Sequence, residues 1–278
     1  MHLFLKISLF LVCVTSNGFY AQNGILGNYD FRNGDISQIT LGSELNEISG
    51  LAFSNGKLFC HNDEFATIYE IDIFTGKVIK KFFAGTPVLE GDFEDLVILD
   101  NKFYLVASNG TVYVFEEGKN NESVSYKKIK TRLKSKNDVE GIQYSPEKDK
   151  LLLTCKESAG RKYRGYRAVY ELDLSSGEVE KEPKFLLNIK KIKRKTRRRN
   201  FNPSAIKLTD QNTYLILDGK GKSLIEINQK GKLLNAVSLS KSRHNQPEGI
   251  EILNDKTIVI SDEAGNDEPG LTFYRAGK

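Results

Sequence analysis

"NQPEGIEIL", residues 245–253, is an ordinary turn running into a strand, yet the chain says nearly the same thing five times. "NEISGLAF" (46–53), "GDFEDLVIL" (91–99), "NDVEGIQYS" (137–145) and "FNPSAIKL" (201–208) carry the same punctuation. Each copy has a polar or acidic residue, any residue, Glu or Ser, a small or acidic residue, and then an apolar strand start. Aligned on the fourth position, the copies fall at Gly50, Asp95, Gly141, Ala205 and Gly249, with spacings of 45, 46, 64 and 44 residues. A repeat of this period fixes the architecture before any other reading is made.

Within each period a four-strand rhythm recurs. The first copy reads "ISGLAFS", "KLFCHND", "TIYEIDI" and "KVIKKFF", separated by "SNGK"-, "EFA"- and "FTGK"-type turns. Alternating β-branched and aromatic residues mark strands, and Asn-Gly or Gly-Lys pairs mark hairpins. The fifth copy is one strand short, and an unmatched strand, "DISQITL" (35–41), stands before the first. If that strand completes the last unit, the ring closes and no sheet edge stays open. The expected fold is all-β: a five-bladed β-propeller of four-stranded antiparallel blades, closed by the N-terminal strand. Six blades is the alternative, with the extra strands hidden in the 64-residue interval.

The bulk numbers agree with one large all-β domain. The chain has 278 residues, 39% of them hydrophobic, with twelve Tyr, sixteen Phe and no Trp. Residues 1–21 read as a secretory signal: Lys6, the apolar run Ile7–Val14, then a polar stretch ending at Ala21. That run is too short to span a bilayer. Residues 22–30 are expected to form a short linker and 31–278 the propeller. The expected destination is the periplasm, the cell envelope or the medium, and the expected state is a monomer. A lipoprotein anchored through Cys13 is a minor alternative, because Leu11-Val12 lacks the small residue such processing favours. Past the leader only Cys60 and Cys155 remain, at matching points of non-neighbouring repeats. A disulfide needs Cα atoms within about 7 Å, so both are expected as free buried thiols. No CxxC or Cys/His spacing points to zinc.

Two polar insertions interrupt the third interval: "ESAGRKYRGYR" (157–167) and "NIKKIKRKTRRRN" (188–200). The second carries Lys190, Lys191, Lys193, Arg194, Lys195, Arg197, Arg198 and Arg199. The net charge is +5, so without these eight residues it would be −3. The protein is therefore mildly acidic with one basic loop. Such a run attracts anions electrostatically. It holds no base-stacking aromatic, and nucleic acid is not an expected partner. An anionic surface, a lipid head group or a phosphorylated small molecule fits better. A solvated loop without a partner accounts for the run equally well.

The repeated motif precedes the strand that lines a propeller's central channel. Period-two geometry sends its first and third residues one way and the middle one opposite. The middle residues Ile48, Phe93, Val139, Pro203 and Pro247 are all apolar and expected between blades. The other row reads Glu47/Ser49, Asp92/Glu94, Asp138/Glu140, Asn202/Ser204 and Gln246/Glu248. Six carboxylates are thus expected at one channel mouth, with no basic residue among them. Crowded carboxylates repel and raise one another's pKa values, and a hard cation such as calcium relieves this. Acids that merely cap turns are the plainer reading of any single copy. Asp63-Glu64 in "HNDE" and Asp262-Glu263 in "SDEAGND" follow the second strands of units one and five, and form a candidate second acidic site.

"NEISGLAF", "GDFEDLVI", "NDVEGIQY", "NPSAI" and "PEGIEIL…IVISDE", in this order over residues 44–264, resemble the SdiA-regulated domain family of exported bacterial proteins. The resemblance implies a five-bladed propeller distantly similar to NHL-repeat propellers, with bound calcium. It carries Asp92, Glu94, Asp138, Glu140 and Glu248 over as ligands, while Ser49 and Ser204 stand where other copies have Glu. A phytase-like role has been raised for relatives. Two functions are therefore expected to compete: a non-enzymatic calcium-binding module, and a calcium-dependent phosphoesterase. The second needs clustered metals and cations to hold phosphate, for which the basic loop and "RKYRGYR" (161–167) are the candidates. No GxSxG element is present, and none of the three histidines sits in a triad-like sequence setting. No catalytic residue is assigned.

Overall fold

The computed structural model describes residues 24–147, 149–157 and 159–277, and these form a five-bladed β-propeller. The leader expected at residues 1–21 lies outside the described residues. Blade one is built from Ile48–Ser54, Lys57–Asn62, Thr67–Ile71 and Val78–Ala84. Blade two uses Phe93–Leu99, Lys102–Ala107, Thr111–Glu116 and Tyr126–Lys130. Blade three has Val139–Tyr144, Lys150–Cys155 and Tyr166–Asp173, with its fourth position split between Glu178–Val179 and Phe185–Asn188. Blade four comprises Pro203–Leu208, Thr213–Asp218, Ser223–Asn228 and Leu233–Ser238. Blade five holds Gln246–Ile252, Ile258–Glu263 and Gly270–Tyr274, and Ile36–Thr40 pairs antiparallel with the last of these. The ring is closed as expected, and the longer third interval adds no sixth blade.

Hairpin chemistry explains the local turns. Asn55-Gly56 and Asp100-Asn101 both have positive φ at the two central positions, as tight hairpins require. The apolar residues of each blade pack into five clusters, most of them bridging adjacent blades. Ile48, Phe93 and Val139, the middle residues of three motif copies, are fully buried there. Cys60 and Cys155 are buried free thiols in separate clusters. Burial pushes the Cys155 thiol up to about 12, which keeps it protonated and inert.

The first strands depart from strict alternation at one shared place. All five shift register between the motif's middle residue and the strand that follows. Such a bulge sets two residues opposite one and re-aims the side chains beside it. It also explains the small residue at the fourth position of four copies, Asp95 of blade two being the exception. A Cβ on Gly50 would lie 2.5 Å from Asp95 Oδ1, and one on Gly249 2.5 Å from Ser49 O. Backbones of neighbouring first strands approach too closely for more.

Two expectations change. The basic run is not a loop: Ile189–Thr196 is an α-helix, capped by the Asn188 side chain accepting from Lys191 N at 2.8 Å. Its Ile192 is buried against Phe185, Phe201 and Ile206 in the cluster between blades three and four. The segment 22–30, expected as a linker, is built into the molecule where it is described. Ile25, Leu26, Tyr29 and Phe31 pack between blades four and five. The buried Glu226 carboxylate accepts from Ile25 N at 2.7 Å and Leu26 N at 3.0 Å.

Candidate metal centre at the channel mouth

Buried side chains next to the motif satisfy backbone groups of the first strands and tie neighbouring blades together. Asp95 accepts from Leu96 N and, across the blade boundary, from Ile142 N, both at 2.9 Å. Glu251 accepts from Phe53 N at 2.7 Å and pairs with Lys207 at 2.6 Å, joining blades four, five and one. Burial raises the Asp95 carboxyl well above its usual range, and its two amide donors only partly offset this. Ser49 Oγ donates to Glu94 O at 2.6 Å and Ser204 Oγ to Pro247 O at 3.2 Å. The two serines that replace Glu in the motif thus serve as ties between blades. His61 is buried, which lowers its pKa to about 4, so it is neutral. Nδ1–H then donates to Asn62 O at 2.9 Å and Nε2 accepts from Gly50 N at 3.2 Å.

Apart from these side chains, the acids fall into two groups rather than one. Glu94, Asp138 and Glu140 bring ligand oxygens within 4.8 Å of one another. Burial and the neighbouring Glu140 and Asp92 raise the Glu94 carboxyl, and burial raises Glu140 and Asp138 as well. The expectation that no basic residue enters this set is corrected. Lys156, just past the second strand of blade three, reaches Glu140 Oε1 at 2.7 Å. Asp92 faces the same group electrostatically but is held by the Ser108 hydroxyl at 2.5 Å.

Glu47, Asp63 and Glu263 form the second group, again within 4.8 Å. This set draws on the motif of blade one and on the ends of second strands in blades one and five, which ring closure makes neighbours. Burial, with Glu47 and Asp63 adding, raises Glu263 to about 7. Burial, Glu47 and Glu64 raise Asp63, whose Oδ1 is buried without a hydrogen-bond partner. Glu64 itself is exposed. Glu248 lies between the groups, raised by burial and by Glu263 and Glu140. Its carboxylate rests 3.3 Å from where a Gly219 Cβ would stand.

Asp262 takes no part in either group of three. Its Oδ2 accepts from His244 Nδ1 at 2.7 Å, and His244 Nε2 meets the Tyr274 hydroxyl at 2.5 Å. No histidine looks triad-like in the sequence, and this buried chain of three, which ties the connection between blades four and five to two strands of blade five, is invisible there. Its members lie 12 to 30 residues apart, and only strand pairing joins them. His244 and Tyr274 are 0% and 1% exposed, so the chain reaches no solvent on that side. It fastens the strand-to-strand connection rather than offering a nucleophile. In "RKYRGYR", Lys162 and Tyr163 are both engaged by Glu182, and Arg167 donates to Phe201 O at 3.3 Å. Two of that insertion's four cations, Lys162 and Arg167, are thus engaged within the chain, while Arg161 and Arg164 are exposed.

An all-oxygen set of crowded carboxylates, one oxygen of which is buried and unpartnered, fits a hard cation of the calcium type. No sulfur or imidazole lies in either group. Fold and site together define a class: a five-bladed β-propeller with two clusters of carboxylates beside its first strands. No protein-family model and no curated protein matches the chain. Solved structures share the fold. A luciferin-regenerating enzyme superposes with a TM-score of 0.57 at 10% identity, covering 87% of this chain and 95% of that one. The glutaminyl cyclase of Myxococcus xanthus gives 0.57 at 10% identity, covering 86% and 94%. At that identity the likeness concerns architecture alone.

Proposed function

We propose that the protein is an exported, calcium-binding β-propeller of the SdiA-regulated kind, acting as a binding module. The observation that carries the calcium reading is the pair of carboxylate triplets at the mouth, one with the buried, unpartnered Asp63 Oδ1. Glu47, Asp63 and Glu263 are the favoured seat, because Lys156 already neutralises part of the other triplet. Glu94, Asp138 and Glu140 would hold a second cation in competition with that lysine, with Glu248 between the two. The cation would cancel repulsion among acids that the fold brings together and fix the relative positions of blades one, two, three and five. Export rests on the leader read at residues 1–21.

Thermal unfolding tests the reading. Calcium at about a hundred times its Kd should add roughly 2.7 kcal/mol to stability. Magnesium, which demands tighter octahedral geometry, should add less. Asp63→Asn with Glu263→Gln should remove most of the response. Identical melting curves in calcium and in chelator would sink it. A calcium-dependent phosphoesterase is the second reading, favoured by Lys156, a cation placed beside the Glu94–Asp138–Glu140 carboxylates. Phosphate release by purified protein, present with calcium and absent in chelator, would establish it; no release leaves the binding module.

A further inference from the structure

A second charged feature lies on the outer rim, where blades four and five meet. Beyond the helix Ile189–Thr196 the chain turns through Arg197, in a left-handed conformation with φ of 54°. There Arg197 and Arg198 meet Lys241 and Arg243, from the connection between blades four and five, and Arg32, from the N-terminal segment. These five cations, with Ser240 among the hydroxyls, line a cleft of about 430 Å³. No carboxylate is among the described residues that line it.

Two of the cations, Arg198 and Arg243, are held in place by neutral partners. Arg198 donates through its guanidinium to Leu239 O, while its Nε is buried and has no hydrogen-bond partner. Arg243 donates to Phe31 O at 3.3 Å and Arg32 O at 2.9 Å. Two acids stand nearby. Asp30 accepts the Arg32 and Asn33 amides, which hold its carboxyl low, with Arg32 and Arg243 adding to the effect. Asp218 is buried and accepts from Asn202 N, Gly221 N and Ser223 Oγ. Both carboxylates are thus committed to other donors. The fold therefore gathers three chain segments so that five cations converge, opposed only by Asp30 near Arg32 and Arg243 and by Asp218 near Arg198, both outside the cleft lining. An anion entering it would relieve that repulsion, and arginines already fixed in direction lose little freedom on binding.

We propose that this cleft binds a phosphate-bearing anion, through the forked guanidinium contacts that phosphate oxygens accept. The proposal deepens the binding-module reading by naming the partner's chemistry. It does not require the cation at the channel mouth. The phosphate would come from a soluble ester or from a lipid head group.

The test is a calorimetric titration of the full protein with pyrophosphate, in chelator and again in calcium, so that the two readings fail separately. Sedimentation with phosphatidylglycerol vesicles, against phosphatidylcholine vesicles, is the lipid arm. Saturable binding in either arm is expected. The double variant Arg197→Gln/Lys241→Gln changes two exposed side chains and should weaken it about tenfold, the loss expected for charge-assisted contacts. The control Lys190→Gln/Lys191→Gln removes the same charge from exposed positions on the helix and should weaken it less than about threefold. Binding only to phosphatidylglycerol vesicles, with the same variant pattern, would assign the head group as the source. Equal weakening in both double variants, or no binding in either arm, would overturn the proposal.

Discussion

Lys156 reaches the 2%-exposed Glu140 across a hairpin, and the pair shows how charge is managed at the mouth. Burial works against the lysine's charge, yet Glu140 and Asp138 hold its pKa above the usual value. Lys156→Gln should therefore destabilise the calcium-free protein at pH 8 and much less at pH 5, where Glu140 is protonated. Calcium should restore most of the loss by supplying the missing positive charge. The wild type should show a related trend. Glu263 titrates near 7 in the fold, above its usual carboxylate value of 4.5. The unfolded chain gives up that proton first, so rising pH favours unfolding across this window. Without calcium, the melting temperature should fall progressively between about pH 5 and pH 8. With calcium the slope should flatten or reverse. A calcium-free melting temperature that rises over this window would show that the carboxylates are not strained. Lys156 and His244 were not legible in the sequence, because both act on partners that only strand pairing brings near.

The helix Ile189–Thr196 separates packing from charge within one element. Ile189, Ile192 and Thr196 recur at helical spacing, and the buried Thr196 returns its hydroxyl to Ile192 O at 3.0 Å. Reading the run by charge alone hid that period behind eight cations. Ile192→Ala should cost about 2–5 kcal/mol, as truncation of a buried isoleucine does. Lys190→Gln with Lys191→Gln should stay within about 0.5 kcal/mol. Equal losses, read by denaturant unfolding, would mean that the charges themselves hold the helix. Most strands, in contrast, were legible in the sequence as short runs rich in β-branched and aromatic residues ended by their own turn residues, though not the division of blade three's fourth strand into Glu178–Val179 and Phe185–Asn188. The bulge in the first strands was not. It arises where neighbouring backbones meet, and its trace in the sequence is the small fourth residue in four of the five motif copies. Lys207 and Glu251 left a similar trace, as charges among the apolar residues that follow the motif in their strands.

The whole ring depends on joining its two ends. Ile36–Thr40 supplies the outer strand of blade five, while Ile25, Leu26, Tyr29 and Phe31 fill the wedge between blades four and five. Glu226 anchors this segment with two backbone donors, and also accepts from Thr213 Oγ1 at 2.5 Å and Asn235 Nδ2 at 3.3 Å. A Cβ at Gly24 would overlap that carboxylate, and its φ of +71° already excludes most side chains. Removing residues 24–41 should open an edge on blade five and yield protein that self-associates in size-exclusion chromatography. Glu226→Ala should lower the melting point through unpaired buried amides without opening that edge, so it should stay at the wild-type elution volume. Blade number and closure were legible because a missing strand at one end matched a spare strand at the other. The wedge was not, since nothing in residues 24–31 repeats. The same closure imposes a schedule. The chain leaves the ribosome amino end first, so residues 25–40 emerge some two hundred residues ahead of Glu226 and of the Gly270–Tyr274 strand. Whatever the other blades do first, the strand Ile36–Thr40 must wait, unpaired, until Gly270–Tyr274 exists. The ring can therefore close only after the Gly270–Tyr274 strand has been made.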